Sequence, residues 1–304
     1  MRLAAARPAL EGGCWRGTLL AWGMMLVWGI PLPVEAAEPI NLEPTSSNQA
    51  REEAKQAIPW RHLDPADRRG VEKLVNDAAI YRRMPTRVID CDPELFNFLG
   101  QHPEVVTEIW RMMGVCQLRL ERTGTDTFRA TDANGTVGGV RILHGNWNPG
   151  AQNHVLVYSE GTYNGKPFPR PVTARTVSLL RSGSVVETNG RHYVTARLDT
   201  FVVIDRWGAE LVAKTIQPLL VSTADHNFVE TMNFVSTFSK TAESNPLGMQ
   251  RLADRLDGLS IDTRQKMAEA CQATATRYEG ISKNGGPTIQ LVRRDEQPVI
   301  VNAP

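Results

Sequence analysis

The chain lacks a charge excess, a cysteine framework and a long apolar run, and each lack closes off a class of function. Its 304 residues carry 34 basic and 33 acidic side chains. Nucleic-acid binding rests on a clustered positive face, and attachment to an anionic membrane rests on a polybasic patch, so neither is expected. The longest apolar run, Thr18–Ile30, has 13 residues, short of the ~20 that a membrane-spanning helix needs. There are four cysteines, and Cys14 lies before that run. Also missing are a serine-nucleophile motif, a Cys–His setting, a glycine-rich phosphate loop, paired CxxC motifs and internal repeats. No cofactor and no metal site are expected, and the chain reads as a non-enzymatic protein.

What is present begins with an export signal. Arg2, Arg7 and Arg16 precede the Thr18–Ile30 run, Pro31 and Pro33 break it, and Val34-Glu35-Ala36 fits a small-x-small cleavage site. Cleavage after Ala36 makes residues 1–36 a signal peptide and places the mature chain in the periplasm or outside the cell. The competing reading is a retained anchor. No cysteine follows the cleavage site as a lipoprotein requires. Removing three basic and two acidic residues leaves 31 of each sign and 268 residues, enough for one sizeable core plus extensions. Cys91, Cys116 and Cys271 remain. Cys91 and Cys116 bracket a two-helix stretch and could be bridged; the plainer expectation is three buried thiols.

Residues 37–48 are polar and Pro-bearing and read as a disordered leader. Residues 49–85 read as a helical arm, with helices over 49–58 and 65–83; Val71, Leu74, Val75, Ala78 and Tyr81 line one side of the second. Thr86–Cys91 is a short strand. Asp92-Pro93 and His102-Pro103 each start a helix, and Gly114 ends the second. The period then changes to two. Strands are predicted at Cys116–Glu121, Thr127–Thr131, Val137–His144, His154–Glu160, Val172–Arg181 and His192–Ile204. Turns and short loops join them, which leaves no room for helical crossovers, so the sheet is antiparallel. Pro218 should end or kink a helix after Asp205. Asp225 should cap a longer helix that carries Phe228, Met232, Val235 and Phe238 on one side, with Asn227 and Ser236 on the other. Residues 246–280 add two amphipathic helices, and 281–304 read as a tail.

Strand, two helices, six strands and a long helix over 86–245 resembles the helix-grip fold of the START-like superfamily. That resemblance implies an α+β domain in which a seven-stranded curved antiparallel sheet wraps the long helix and leaves an apolar cavity. It is one of element order and carries no sequence motif. The phrases FLGQHPEVV, EGTYNG and ADHNFVETMNFVS also resemble uncharacterised exported proteins of planctomycete-type bacteria, which implies no activity.

The cavity would be walled by Val194, Ala196, Leu198 and Val202 from the last strand and by Phe228, Met232 and Val235 from the helix, with Tyr158 at the strand end near its mouth. A filled core satisfies the same pattern. Arg197 and Asp199 alternate on the opposite face of that strand and read as solvated. His226 and Glu230, four apart on the helix, have the spacing of metal ligands or an acid–base pair, but read as a solvent face beside the Asp225 cap. Trp147 stands in the loop GNWNPG, as a lid or as a pin of its own loop.

The expected function is binding of an apolar or amphipathic small molecule, lipid- or isoprenoid-like, without catalysis. An envelope scaffold with a filled core, docking envelope partners through its helical arms, is the alternative. A START-like cavity enzyme is the second alternative.

Overall fold

A computed structural model describes residues 43–283, except 134, 166–169, 189 and 205–216, and at 217–221 and 280–283 it describes the backbone alone. The expected signal peptide, most of the leader and the tail lie outside the described residues. The chain is α+β, with an eight-stranded curved antiparallel sheet covered by helices on both faces. The described elements are α1 (Asn48–Gln56), a 3-10 turn (Trp60–His62), α2 (Pro65–Asp77), β1 (Ile80–Arg83), β2 (Arg87–Asp90), α3 (Pro93–Gln101), α4 (Pro103–Met112), β3 (Arg119–Arg122), β4 (Thr127–Asp132), β5 (Thr136–Gly145), β6 (Asn153–Tyr163), β7 (Val172–Val186), β8 (His192–Ile204), α5 (Gln217–Ser244), α6 (Pro246–Asp254) and α7 (Ile261–Lys283).

Local chemistry sets many of the boundaries. Asp64 caps α2 by accepting from the amides of Ala66 and Asp67, and Asp92 caps α3 through Leu95. Proline opens α2, α3, α4 and α6, where its missing N–H is not needed. Gly114 closes the α4 turn at φ +72°, a left-handed conformation that suits glycine. Gly135 and Gly190 adopt φ values of +97° and +82° in the two Asn-Gly turns. Pro218 behaves otherwise than expected: it sits in the first turn of α5, a helix of 28 residues running on to Ser244, and breaks nothing there.

The sheet runs β1-β8-β7-β6-β5-β4-β3, with β2 also paired to β8. β1 meets β8 at Asp199–Val202 and β2 meets it at Tyr193–Ala196, so the two are one edge strand interrupted around Pro85. The eighth strand is a correction. The helix expected over 65–83 ends at Asp77, and Ile80–Arg83 pairs with the sheet instead. The expected leader also has order from residue 43, and Thr45 exchanges two backbone hydrogen bonds with Arg83, at 2.9 and 2.8 Å.

One face, here the inner, carries α3 to α7. Ala224, Phe228, Met232, Val235, Phe238 and Ala242 of α5 are buried in the same core as Ile89, Val194, Ala196, Leu198 and Val202. Met267 and Cys271 extend this core into α7. Ser236 does not point away as expected: its hydroxyl donates to the Asp90 carbonyl at 2.9 Å, because α5 lies along β2. Arg277 of α7 grips Asp92 through two bonds, at 2.7 and 2.8 Å, and reaches Glu94 at 2.6 Å. Trp147 packs back against Gly100 of α3, where a Cβ would sit 2.8 Å from its ring. Cys91, Cys116 and Cys271 are buried and form no disulfide among the described residues; burial raises the thiol pKa of Cys91 and pushes that of Cys271 up to about 12.

The other, outer face carries α1 and α2. Ala54, Val71 and Val75 pack on Leu156, Val177, Leu179 and Phe201. Residues 49–77 and 246–280 are therefore walls of one body and not projecting arms. The expectation that Asp199 lies on a solvated face is overturned: it is 0 % exposed. Its carboxylate accepts from the Tyr81 hydroxyl at 2.6 Å, Arg83 at 2.7 Å and Arg181 at 2.9 Å. A buried carboxylate demands such partners, and β1 and α1 supply the cover.

Candidate functional site

Strand register brings together an inner floor that composition does not reveal. Ala130 of β4, Gly138 of β5, Gly161 of β6 and Ala174 of β7 stand in one row across four strands. No side chain in this row exceeds a methyl, so the row adds little bulk above the backbone. The next row continues with Ser159, Thr176 and Val202, and the one after it with Ser178 and Thr200. These four hydroxyl residues are each at most 2 % exposed. Ser159 and Thr176 bond to each other at 2.6 Å, and Ser178 and Thr200 at 3.1 Å. The Ser159–Thr176 pair keeps lone pairs and one hydrogen to donate elsewhere. At the far end the buried Thr136 hydroxyl has no partner among the described residues. Beside Thr200, Arg82 is held by Asp225 through Nε at 2.9 Å and a second contact to the other oxygen.

Seven of the eight sequence-predicted ligand residues meet on this inner side. Val194, Ala196, Leu198, Val202, Phe228, Met232 and Val235 belong to one core cluster, and each is at most 3 % exposed. Tyr158 is not among them. It lies on the outer face, where it lines a recess of about 280 Å³ beneath α2 with Val71, Leu74, Arg141, Leu143 and Arg175. Its hydroxyl donates to Glu160 at 2.7 Å. Burial first, and Glu160 second, push its pKa up to about 12. A shallower depression of about 470 Å³ adjoins it over Val137, Gly139 and Glu160.

The polar candidates on α5 separate. His226 and Glu230 are exposed, and Asp225 sits inside the helix, bound to Arg82, where a cap was expected. Among the described residues no group of three or more His, Cys, Asp or Glu side chains is placed to hold a metal ion. His144 stacks on His62 with centroids 4.6 Å apart, His192 meets Tyr278 edge-on, and His154 lies in register with Arg181. The hydroxyl floor was missed at the sequence level because its four members come from three strands and share a face only once register is known. The alternation of Thr176, Ser178 and Thr200 with larger residues was the available signal.

No family model matches the chain, and no curated protein matches it. Among solved structures, a hypothetical protein of Helicobacter pylori overlaps 48% of this chain and 82% of its own at 8% identity, with a TM-score of 0.29. A likeness of that size carries no argument about fold or function. No helix among the described residues is long and apolar enough to cross a membrane.

Proposed function

We propose that the chain is a non-enzymatic binding protein of the helix-grip, START-like type, holding an amphipathic small molecule between the inner sheet face and α5. It acts outside the cytoplasm after cleavage near Ala36. The carrying observation is the Ala130–Gly138–Gly161–Ala174 row beside buried hydroxyls: a floor without bulk, next to groups that can donate to a ligand's acceptor. Phe228 and Met232 face the same side from α5, and methionine repacks readily around ligands of varied shape. An apolar body with one or two acceptor oxygens, as in an oxidised isoprenoid or a fatty acyl chain, matches that lining.

The test is uptake of a fluorescent fatty-acid probe by the purified mature chain, together with native mass spectrometry for co-purified lipid. Wild type should bind the probe saturably, and Gly161→Leu, which fills the row, should reduce binding at least tenfold while the far-ultraviolet dichroism is kept. Absence of both probe uptake and bound lipid overturns the reading. So does uptake that Gly161→Leu leaves unchanged.

A further inference from the structure

The outer face carries an arrangement that stability alone does not explain. His154 on β6 stands directly opposite Arg181 on β7, and Arg181 stands directly opposite Arg197 on β8. The two arginines are like charges placed opposite each other, which destabilises a strand pair. The carboxylates nearby are already taken. Asp199 binds Arg83 and Arg181, and Glu53 binds the far end of Arg83 at 2.8 Å. Arg83 and Arg181 thus take both carboxylates, and Arg197 is left over. It has no hydrogen-bond partner among the described residues, and its Nε and that of Arg181 are buried and unsatisfied. Burial and the neighbouring Arg181 and Arg83 hold its pKa below the ordinary arginine value despite the pull of Asp199 and Glu53. A half-buried cation without a hydrogen-bonded partner is costly, and this one lies on the face that α1 covers.

We propose that Arg197, Arg181 and His154 form a binding site for a phosphate-type dianion, met as free phosphate or as a phosphomonoester. Arginine's planar fork matches phosphate oxygens, and two such side chains, Arg181 and Arg197, stand at directly opposed positions on β7 and β8. Donors on three adjacent strands address three oxygens, which a tetrahedral phosphate offers and a planar carboxylate does not. Arg197 and His154 are each only partly buried, and the Arg181 side chain is 17% exposed, so the row can be reached from water. The site lies on the opposite face of the sheet from the proposed inner floor and stands or falls separately from it.

Calorimetric titration with inorganic phosphate, at ionic strength held constant with chloride, tests the site, and thermal melts accompany it. Wild type should bind saturably and melt higher with phosphate than with chloride. Arg197→Met should weaken binding at least tenfold, while the melting temperature of the free protein stays level or rises, because an uncompensated cation has been removed. A structural arginine would show the reverse, a lower melting temperature. Glycerol phosphate binding more tightly than inorganic phosphate identifies a phosphomonoester as the ligand, and weaker binding identifies free phosphate. No saturable binding of either probe overturns the proposal, as does equal binding by Arg197→Met or a clearly lower melting temperature of that variant without ligand.

Discussion

The two faces of the sheet are built by opposite means. The inner face is neutral over most of its area: valines, leucines, alanines and glycines with a band of small hydroxyls, covered by α5 and the helices around it. The outer face joins Leu156, Leu179 and Phe201 to a buried ionic cluster of Tyr81, Arg83, Arg181 and Asp199. The inner face is held by apolar burial, which tolerates changes of shape so long as volume is kept. The outer face depends on Asp199 keeping its partners, and tolerates little there. The adaptable side can therefore change shape without losing the register held by the fixed one.

That contrast can be broken most forcefully from the inner side. Met232 is 0 % exposed, so Met232→Asp places an unpaired carboxylate in the core and should cost about 4 kcal/mol or more, or abolish folding. Ser236→Asp, one turn away, loses the bond to the Asp90 carbonyl and should cost about 1–2 kcal/mol in denaturant unfolding. Equal costs would mean that α5 does not press on the sheet through Met232.

On the outer side, Asp199→Asn keeps the shape and removes the charge that Arg83 and Arg181 share. Breaking a buried pair in this way costs about 3–5 kcal/mol. Urea unfolding should therefore show a large loss from an isosteric change. A loss below about 1 kcal/mol would make the ionic cluster incidental to the fold.

The smallest effect is expected from acid. The hydrogen bond from Arg83 holds the Glu53 carboxyl below its ordinary value of 4.5. A carboxyl depressed by folding contributes stability above its unfolded pKa and loses it as pH falls through the folded one. Wild type should therefore weaken progressively below about pH 4.5, and Glu53→Gln should flatten that limb slightly. Glu53 is 46% exposed, so solvent screens the effect. An acid limb unchanged in Glu53→Gln would remove Glu53 from the account of the outer face.

The inner face was the more legible of the two from sequence. The helical spacing of Phe228, Met232, Val235 and Phe238, and the alternation of Val194, Ala196, Leu198 and Val202, place themselves without knowledge of the fold, and the structure joins them. Asp92-Pro93 and His102-Pro103 announced α3 and α4 for local reasons. The outer face was misread because its cover is remote. Arg197 and Asp199 alternate as solvated residues do, and only Arg83, 116 residues from Asp199, and α1 reveal that Asp199 is enclosed. The error at β1 has the same origin. Val71, Leu74, Val75, Ala78 and Tyr81 continue a helical stripe, but pairing with β8 takes over beyond Asp77. Tyr158 was placed on the wrong side because neighbouring positions on a strand look to opposite faces, and its partners lie on α2.

The interruption at Pro85 also decides how these molecules meet one another. A continuous edge from Ile80 to Asp90 would offer a long ladder of free amides and carbonyls, a template on which a second sheet could grow. Proline has no N–H, and it divides that edge into two strands of four residues each. The opposite edge, β3, is equally short and carries exposed Arg119 and Glu121. Neither margin is long or smooth enough to nucleate stacking, so at high concentration the folded chain should resist fibril formation, and Pro85 is the residue whose loss would first weaken that resistance.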